Sequence, residues 1–433
     1  MDNVLAARAL MGISLAFHII YATIGIGLPL MLMIAEGVAL KTGDDTWHDI
    51  ARRWIRPAAV LFAIGAVSGT ILSFELGLLW PAFMAFSGPL IGLAFSMEGF
   101  AFFTEAIFLA LYIYGERRLS RRALFLCTIP LALAAALSAV FVISANGWMN
   151  TPAGFRLANG VPVDLRPFAA LANPAWAHEA VHGTLAAYVA TGFAVAGYHA
   201  ARLLRSRENA DLKALSLSMA VATVALPFML ASGDWAATAV ARHQKPKLAA
   251  MEAHFRTSAE APLIIGGWPD PEKETVHFGL EIPKGLSILV HRDPNGVVEG
   301  LREFPADEVP DPRLVHPFFN LMVGSFFIMA VAAGTYWWLR WRRRELPVGR
   351  GALLLLVAAS PFGLLALESG WMVTEFGRQP WIIQGYMRVA EGVTPHGGVP
   401  LVFGTFFLVY VALTWGLFRL LANPRRTRAG GNA

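Results

Sequence analysis

The sequence predicts an all-α, polytopic membrane protein of nine transmembrane helices. The N-terminus is expected outside and the C-terminus in the cytoplasm, with one long extracytoplasmic loop. Three observations carry that prediction. Hydrophobic residues make up 56% of the 433 positions and charged residues only 15%, a balance that soluble chains rarely show. Nine apolar runs are each long enough for a hydrocarbon core of about 30 Å, which takes about 20 residues. Finally, Lys and Arg alternate between rich and poor along the short loops, as the positive-inside rule requires of a fixed orientation.

The runs cover approximately 9–38, 57–80, 91–114, 123–146, 175–203, 214–235, 317–340, 351–373 and 399–421. Arg52, Arg53 and Arg56 follow the first, and Arg117, Arg118, Arg121 and Arg122 the third. Arg202, Arg205, Arg207 and Lys213 follow the fifth. Arg340, Arg342, Arg343, Arg344 and Arg350 follow the seventh, and Arg425, Arg426 and Arg428 the ninth. After the second, fourth and eighth runs the basic residues are few: none in 81–90, then Arg156 with Arg166, then Arg378 with Arg388. The 236–316 segment therefore falls outside. The expected organisation is a six-helix part (1–235), an extracytoplasmic loop (236–316), a three-helix part (317–422) and a basic cytoplasmic tail (423–433).

Composition also excludes. The first apolar region is too long for a cleavable signal and lacks a basic leader before a small-residue cleavage site. The single cysteine, Cys127, rules out a disulfide within the chain, and the absence of CxxCH rules out covalent c-type haem. A net charge of +5 raises nucleic acid as a partner, but the basic residues are scattered over short loops and form no patch. No internal repeat or low-complexity tract is visible, which weakens an inverted-repeat transporter reading.

Ionisable side chains within the spans are the functional candidates, since each costs at least ~2.5 kcal/mol on insertion scales. In order they are His18, Glu75, Glu98, Glu105, His182, Glu368 and Glu375. His18 is alone on an apolar helix beside glycines; a lone buried histidine is more often hydrogen-bonded than a ligand. Glu98 and Glu105, seven apart, return to nearly one helix face about 10 Å further along, which suggests a proton path or one ligand and one relay. Ser138 on the next span extends such a chain, although serine in a membrane helix commonly bonds back to its own backbone. His182 lies inside the fifth span; His178, four residues earlier, sits near the helix end, where a solvated histidine is ordinary. Met322 is core filler by any general prior. Imidazole, thioether and carboxylate spread over several spans nevertheless suit haem iron: His/Met axial pairs give a low-spin carrier, while a single ligand leaves a position open for a gas.

The stretch Gly233–Thr257 follows the sixth span. Its core, Gln244 to Glu252, reads as a short helix opened by Pro246, with Lys247 and Glu252 about one and a half turns apart. Taken alone it reads as a solvated amphipathic helix at the membrane surface. The rest of the outer segment alternates turn signals (GGWPDPEK, RDPNG) with short apolar runs such as LSILV, consistent with a small, partly ordered lid.

These residues together resemble subunit I of the cytochrome bd quinol oxidases. The likeness is carried by FH at 17–18, EGFAFFTE at 98–105, ANGWMNTP at 145–152, VH at 181–182, GD at 233–234, QKPKLAAMEA at 244–253, LMVG at 321–324 and ESGWMVTEFGRQPW at 368–381. The resemblance implies a haem-bearing subunit of a terminal oxidase in a bacterial inner (plasma) membrane. Such an enzyme oxidises ubiquinol or menaquinol outside and reduces O2 to water with cytoplasmic protons. It implies two b-type haems, one low-spin and one high-spin, and a haem d or a third b-type haem. His182 and Met322 would be the axial ligands of the low-spin haem; His18 and Glu375 would each serve one of the other two, in an order left open. Lys247 and Glu252 match the quinol-site lysine and glutamate. Glu98, Glu105 and Ser138 match haem-site and proton-path positions, Trp371 matches an electron-transfer tryptophan, and Arg378 would pair with a haem propionate. A subunit II is the expected partner, and a small single-helix accessory subunit is compatible with the family.

The chain also departs from the family. Asn320 stands where the family usually has arginine, Ala106 where some members carry serine, and the two glutamates are seven apart where some members space them by eight. The outer segment is short, which points to the short-loop branch. Two other readings make different predictions. A membrane ion transporter with buried carboxylates would purify colourless. A relative passing quinol electrons to an acceptor other than O2 should lack one high-spin ligand, whereas His18 and Glu375 are both present.

Overall fold

The computed structural model of the chain describes residues 2–422. The Arg425, Arg426 and Arg428 tail lies outside the described residues. Among the described residues nine helices are long and apolar enough to cross a membrane. These are α1 (Asn3–Thr42), α2 (Asp45–Leu79), α3 (Pro81–Gly115) and α4 (Arg121–Asn150). After a short β1–β2 hairpin (Arg156–Ala158, Val161–Val163) and α5 (Pro167–Leu171) come α6 (Trp176–Leu203) and α7 (Asn209–His243).

The outer segment contains α8 (Lys245–Met251), then β3 (Leu263–Ile265), β4 (Trp268–Asp270), β5 (Thr275–His277) and β6 (Leu280–Ile282), then α9 (Gly285–His291). Three more spans follow: α10 (Pro312–Arg343), the consecutive α11 (Arg350–Ala359) and α12 (Phe362–Phe376), and α14 (Val399–Ala422). Strands β7 (Trp381–Ile383) and β8 (Met387–Arg388) and the short α13 (Val389–Gly392) lie between α12 and α14.

Most helices run past the apolar runs that announce them, because polar caps rather than hydropathy end them. Asp2 accepts from the Leu5 N–H at 2.7 Å, and Gly43, in left-handed geometry at φ 71°, closes α1 onto Ala39. Asp44 caps α2, and Asp311, followed by Pro312, opens α10. The eighth span is interrupted at Ser360–Pro361, where proline supplies no backbone N–H to continue the helix. Gly197 of α6 lies against that break, and a side chain there would collide with Ser360.

Packing divides the chain into two compact units. One comprises residues up to Ala85, Phe103–Ala135 and those from Ala390 on. Here α1 packs on α2 and α14. Its interior holds polar links: Ser14 donates to Glu75 at 2.7 Å, His48 Nδ1 lies 2.7 Å from Glu36, and the Tyr112 hydroxyl donates to the same Glu36 carboxylate.

The other unit comprises Phe86–Phe102 and Ala136–Val389. Its core is a cluster from α6, α7, α10 and α11 that includes Phe193, Met219, Tyr336 and Leu356. At one end of the α6–α7 hairpin, Asp211 is fully buried and pairs with His199 Nδ1 at 2.8 Å and Arg202 Nε at 3.0 Å.

The outer segment is ordered. β3 pairs with β6 and β4 with β5, so GGWPDPEK forms the arm and turn of one hairpin, while LSILV lies in α9. Gly266 and Gly267 both have positive φ, and a Cβ on Gly267 would stand 2.8 Å from the Gly279 backbone, so only glycine passes there.

Candidate functional site

The short helix α8 is not solvated. Lys247, Leu248, Ala249, Ala250 and Met251 are all buried, and Lys247 is only 5% exposed. This corrects the surface-helix reading of the stretch: its small apolar residues pack into a cluster with Phe255, Leu301, Val315 and Val373, so the helix turns inward and takes its lysine with it. Lys247 Nζ donates to Asn150 Oδ1 at 2.7 Å. Asn150 Nδ2 donates to the Asn146 carbonyl at 3.0 Å and to its Oδ1 at 3.1 Å, and Asn146 Nδ2 donates to Glu375 Oε1 at 2.6 Å. Glu375 Oε2 accepts from Arg378 Nη2 at 2.5 Å.

A continuous polar chain therefore runs from α8 through the end of α4 to the end of α12. Gly377 makes it possible, since a Cβ there would meet the Lys247 side chain at 2.8 Å. A narrow cleft beside Lys247 is lined by Gln244, Glu308, Gly377 and Gln379 among others. Burial holds the Lys247 ammonium below the usual lysine range, with Glu179, Arg378 and Glu375 acting on it as neighbours.

Glu252, directly after α8, is 2% exposed and its Oε2 has no partner. Burial pushes its carboxyl up to about 8. The segment is anchored by His316 of α10, whose ring spans the Met251 carbonyl (Nδ1, 2.7 Å) and the Gly266 carbonyl (Nε2, 2.9 Å). Asn320, one turn on, accepts from the Gly266 N–H at 2.7 Å. In place of the family's usual arginine, the neutral side chain here ties down the loop.

The candidate ligands share a pattern. His182 Nδ1 lies 3.0 Å from Ser232 Oγ, and His18 Nδ1 lies 3.0 Å from Ser68 Oγ. Glycines stand against the ligand side chains. A Cβ on Gly69 would be 3.1 Å from His18 Cε1, one on Gly233 3.5 Å from His182 Cε1, and one on Gly370 3.1 Å from Met322 Sδ. Trp371 follows Gly370 on α12.

Ser138 Oγ donates to Glu98 at 3.2 Å, and Glu105 is buried on the same helix as Glu98. Glu75 is 1% exposed, and neither oxygen of Glu368 has a partner. His178, expected to be solvated, is 3% exposed with Nδ1 unpartnered, and Trp235 meets its ring edge-on at 6.1 Å between centroids. Reasoning from single residues passed over Asn146, Ser68, Ser232 and His316; Asn146 and Asn150 lie inside the quoted ANGWMNTP motif, the one signal that could have found them.

The model of the family described as cytochrome bd terminal oxidase subunit I matches residues 6–428. The chain belongs to that family. It is 37% identical over 420 residues to a Bacillus subtilis (strain 168) chain provisionally named cytochrome bd menaquinol oxidase subunit I, covering 95% of this chain and 94% of that one. It is 28% identical to the cytochrome bd-II ubiquinol oxidase subunit 1 of Escherichia coli (strain K12), over 85% of each chain. The structure of bd oxidase from Geobacillus thermodenitrificans matches with a TM-score of 0.93 at 40% identity, covering 98% of this chain and 99% of that one. The chain is thus a multi-pass membrane subunit of an oxidase, with the all-α fold the hydropathy predicts.

The residues present fit the haem this family implies. Arg378 is 3% exposed, yet its Nε and Nη1 have no partner, as expected of a guanidinium awaiting an acid group. Among the described residues no three His, Cys, Asp or Glu converge on a bare-ion site. Dispersed axial donors suffice when a macrocycle supplies the other ligands.

Proposed function

We propose that the chain is the haem-carrying subunit of a complex that oxidises quinol at the outer membrane face and reduces O2 to water with cytoplasmic protons, building a proton gradient without a pump. The observation that carries this is the buried Lys247, joined through Asn150 and Asn146 to Glu375, with the Oε2 of Glu252 unpartnered at the end of the same short helix. Two quinols release four electrons and four protons, matching one O2 reduced to two waters. Each quinol must shed two protons as it loses its electrons, so its site needs an acceptor. Burial gives the Glu252 carboxylate a high proton affinity, so in its ionised form it takes one of those protons, more often as pH rises toward 8. Lys247, its ammonium already directed by Asn150, donates to a ring oxygen, and the narrow cleft beside it, lined by Gln244, Gly377 and Gln379 among others, marks where the head of the quinol approaches. Bound haem supplies the one-electron acceptors and an iron with a position open to O2.

His182 and Met322 hold the low-spin b-type haem; His18 and Glu375 each serve one of a high-spin b and a d or third b-type haem. Arg378 takes a propionate, and Trp371 stands on the electron route. Glu98 with Ser138, and Glu105 on the same helix, take the family's haem-site and proton-path roles. The 236–316 segment is the lid of the quinol site. A subunit II completes the enzyme in the bacterial plasma membrane, with room in the scheme for a single-helix accessory subunit. Relatives' names include both menaquinol and ubiquinol. The purified complex should show haem d absorbance in the red, or a third b-type signal, and quinol-dependent O2 uptake. His182→Ala and Met322→Leu should each lose the low-spin signal; if both keep it, that ligand pair is wrong.

A further inference from the structure

One local arrangement is built twice. In the hairpin α1–α2, His18 Nδ1 is 3.0 Å from the hydroxyl of Ser68, fifty residues on; in α6–α7, His182 Nδ1 is 3.0 Å from Ser232, again fifty residues on. Each serine is followed by the glycine that faces the same ring, Gly69 and Gly233. Each hydroxyl also has a carbonyl of its own helix within donating reach. Ser68 Oγ donates to the Ile64 carbonyl at 2.9 Å, and Ser232 Oγ donates to the Met229 carbonyl at 3.0 Å. A hydroxyl has one hydrogen and two lone pairs, so a serine whose hydrogen goes to that carbonyl accepts from the imidazole. Nδ1 must then carry the ring proton, which leaves Nε2 with its lone pair as the metal-binding nitrogen.

We propose that Ser68 and Ser232 are positioning residues that fix His18 and His182 in the Nδ1–H tautomer and orient Nε2 toward haem iron. This rests on the haem-ligand reading of the two histidines and adds what sets their orientation and donor strength. A serine that bonds only to its own helix would leave the ring indifferent to its loss. A serine that accepts the Nδ1 proton raises the basicity of the ligand and steadies it. Gly69 leaves room for the His18 ring, which a Cβ there would approach to 3.1 Å, and the Gly65 backbone also lies within hydrogen-bonding reach of His18.

The test uses the purified oxidase complex with Ser232→Ala, Ser232→Thr and Ser232→Cys, and Ser68→Ala. In Ser232→Ala the midpoint potential of the low-spin haem should rise, because a less basic imidazole supports the ferric state less well. Its haem should also be held about 10- to 100-fold more weakly. Ser232→Thr restores both, and Ser68→Ala alters only the spectrum of the haem that His18 serves. Should Ser232→Ala fail to assemble, Ser232→Cys decides: a weak acceptor should raise the potential above that of Ser and Thr, and equal potentials overturn the proposal. If His182→Ala loses the low-spin signal while Ser232→Ala keeps parental potential and haem retention, the positioning role is wrong and the ligand reading stands. If His182→Ala keeps that signal, the ligand reading itself has failed.

Discussion

Glu252 shows how burial makes a carboxyl useful. Its folded value near 8, against 4.5 for the free group, means the unfolded chain gives up a proton between those pH values while the folded chain keeps it. Stability contributed at this position therefore falls as pH rises through that window, and Glu252→Gln should flatten the slope in a thermal-melt series. Activity should move the other way, rising as the carboxylate forms around pH 8. The Gln variant should lose that rise and turn over about 100-fold more slowly. The paired glycines allow a second comparison. A methyl at Gly69 would press on His18 at 3.1 Å, whereas one at Gly233 makes ordinary contact with His182 at 3.5 Å. Gly69→Ala should disturb its haem spectrum and Gly233→Ala should not. The titratable residues were legible because charge is rare in an apolar run. Asn146, Ser68 and Ser232 were not, since neutral amides and hydroxyls cost little in a span and their partners lie 50 or more residues away.

At the scale of elements, hydropathy located every span but only its apolar middle. The helices extend to polar caps such as Asp2, Asp44 and Asp311, which a transfer scale does not register. The break in the eighth span was visible only as Pro361; that Gly197 leaves room for Ser360 beside it was not. α8 misled for a related reason: its Lys and Glu suggested a wet face, and only tertiary packing shows that they point inward. Two further outcomes belong here. Asp211→Ala removes a buried partner of His199 and of Arg202 and should destabilise the complex by about 3–5 kcal/mol, measured as a lower denaturation midpoint. His316→Ala frees the Met251 and Gly266 carbonyls together, so protease should cut within 253–300 faster than in the parent while haem spectra stay unchanged.

The whole molecule exposes large apolar side chains along its spans, Phe100, Phe103, Leu401 and Trp415 among them. That surface suits a lipid environment and would be costly in water. Inside, the unpartnered Arg378 nitrogens and both oxygens of Glu368 mark a scaffold with polar demands of its own. Complex assembled in haem-starved cells should accordingly melt well below the loaded form. A ligand held at a thousand times its Kd contributes about 4 kcal/mol, and haem added back should restore the melting temperature.

His182 is the seventh residue of the 28-residue α6, only about 9 Å from the start of that helix at 1.5 Å per residue. The lid helix meets the same end, where Lys247 reaches the last residue of α4. An electron passed between those two points covers little of the bilayer's field. A voltage of 100 mV, about 2.3 kcal/mol for a charge crossing the full thickness, should therefore barely slow reduction of the haem proposed at His182, which flash kinetics on polarised vesicles would register as a rate flat against applied potential.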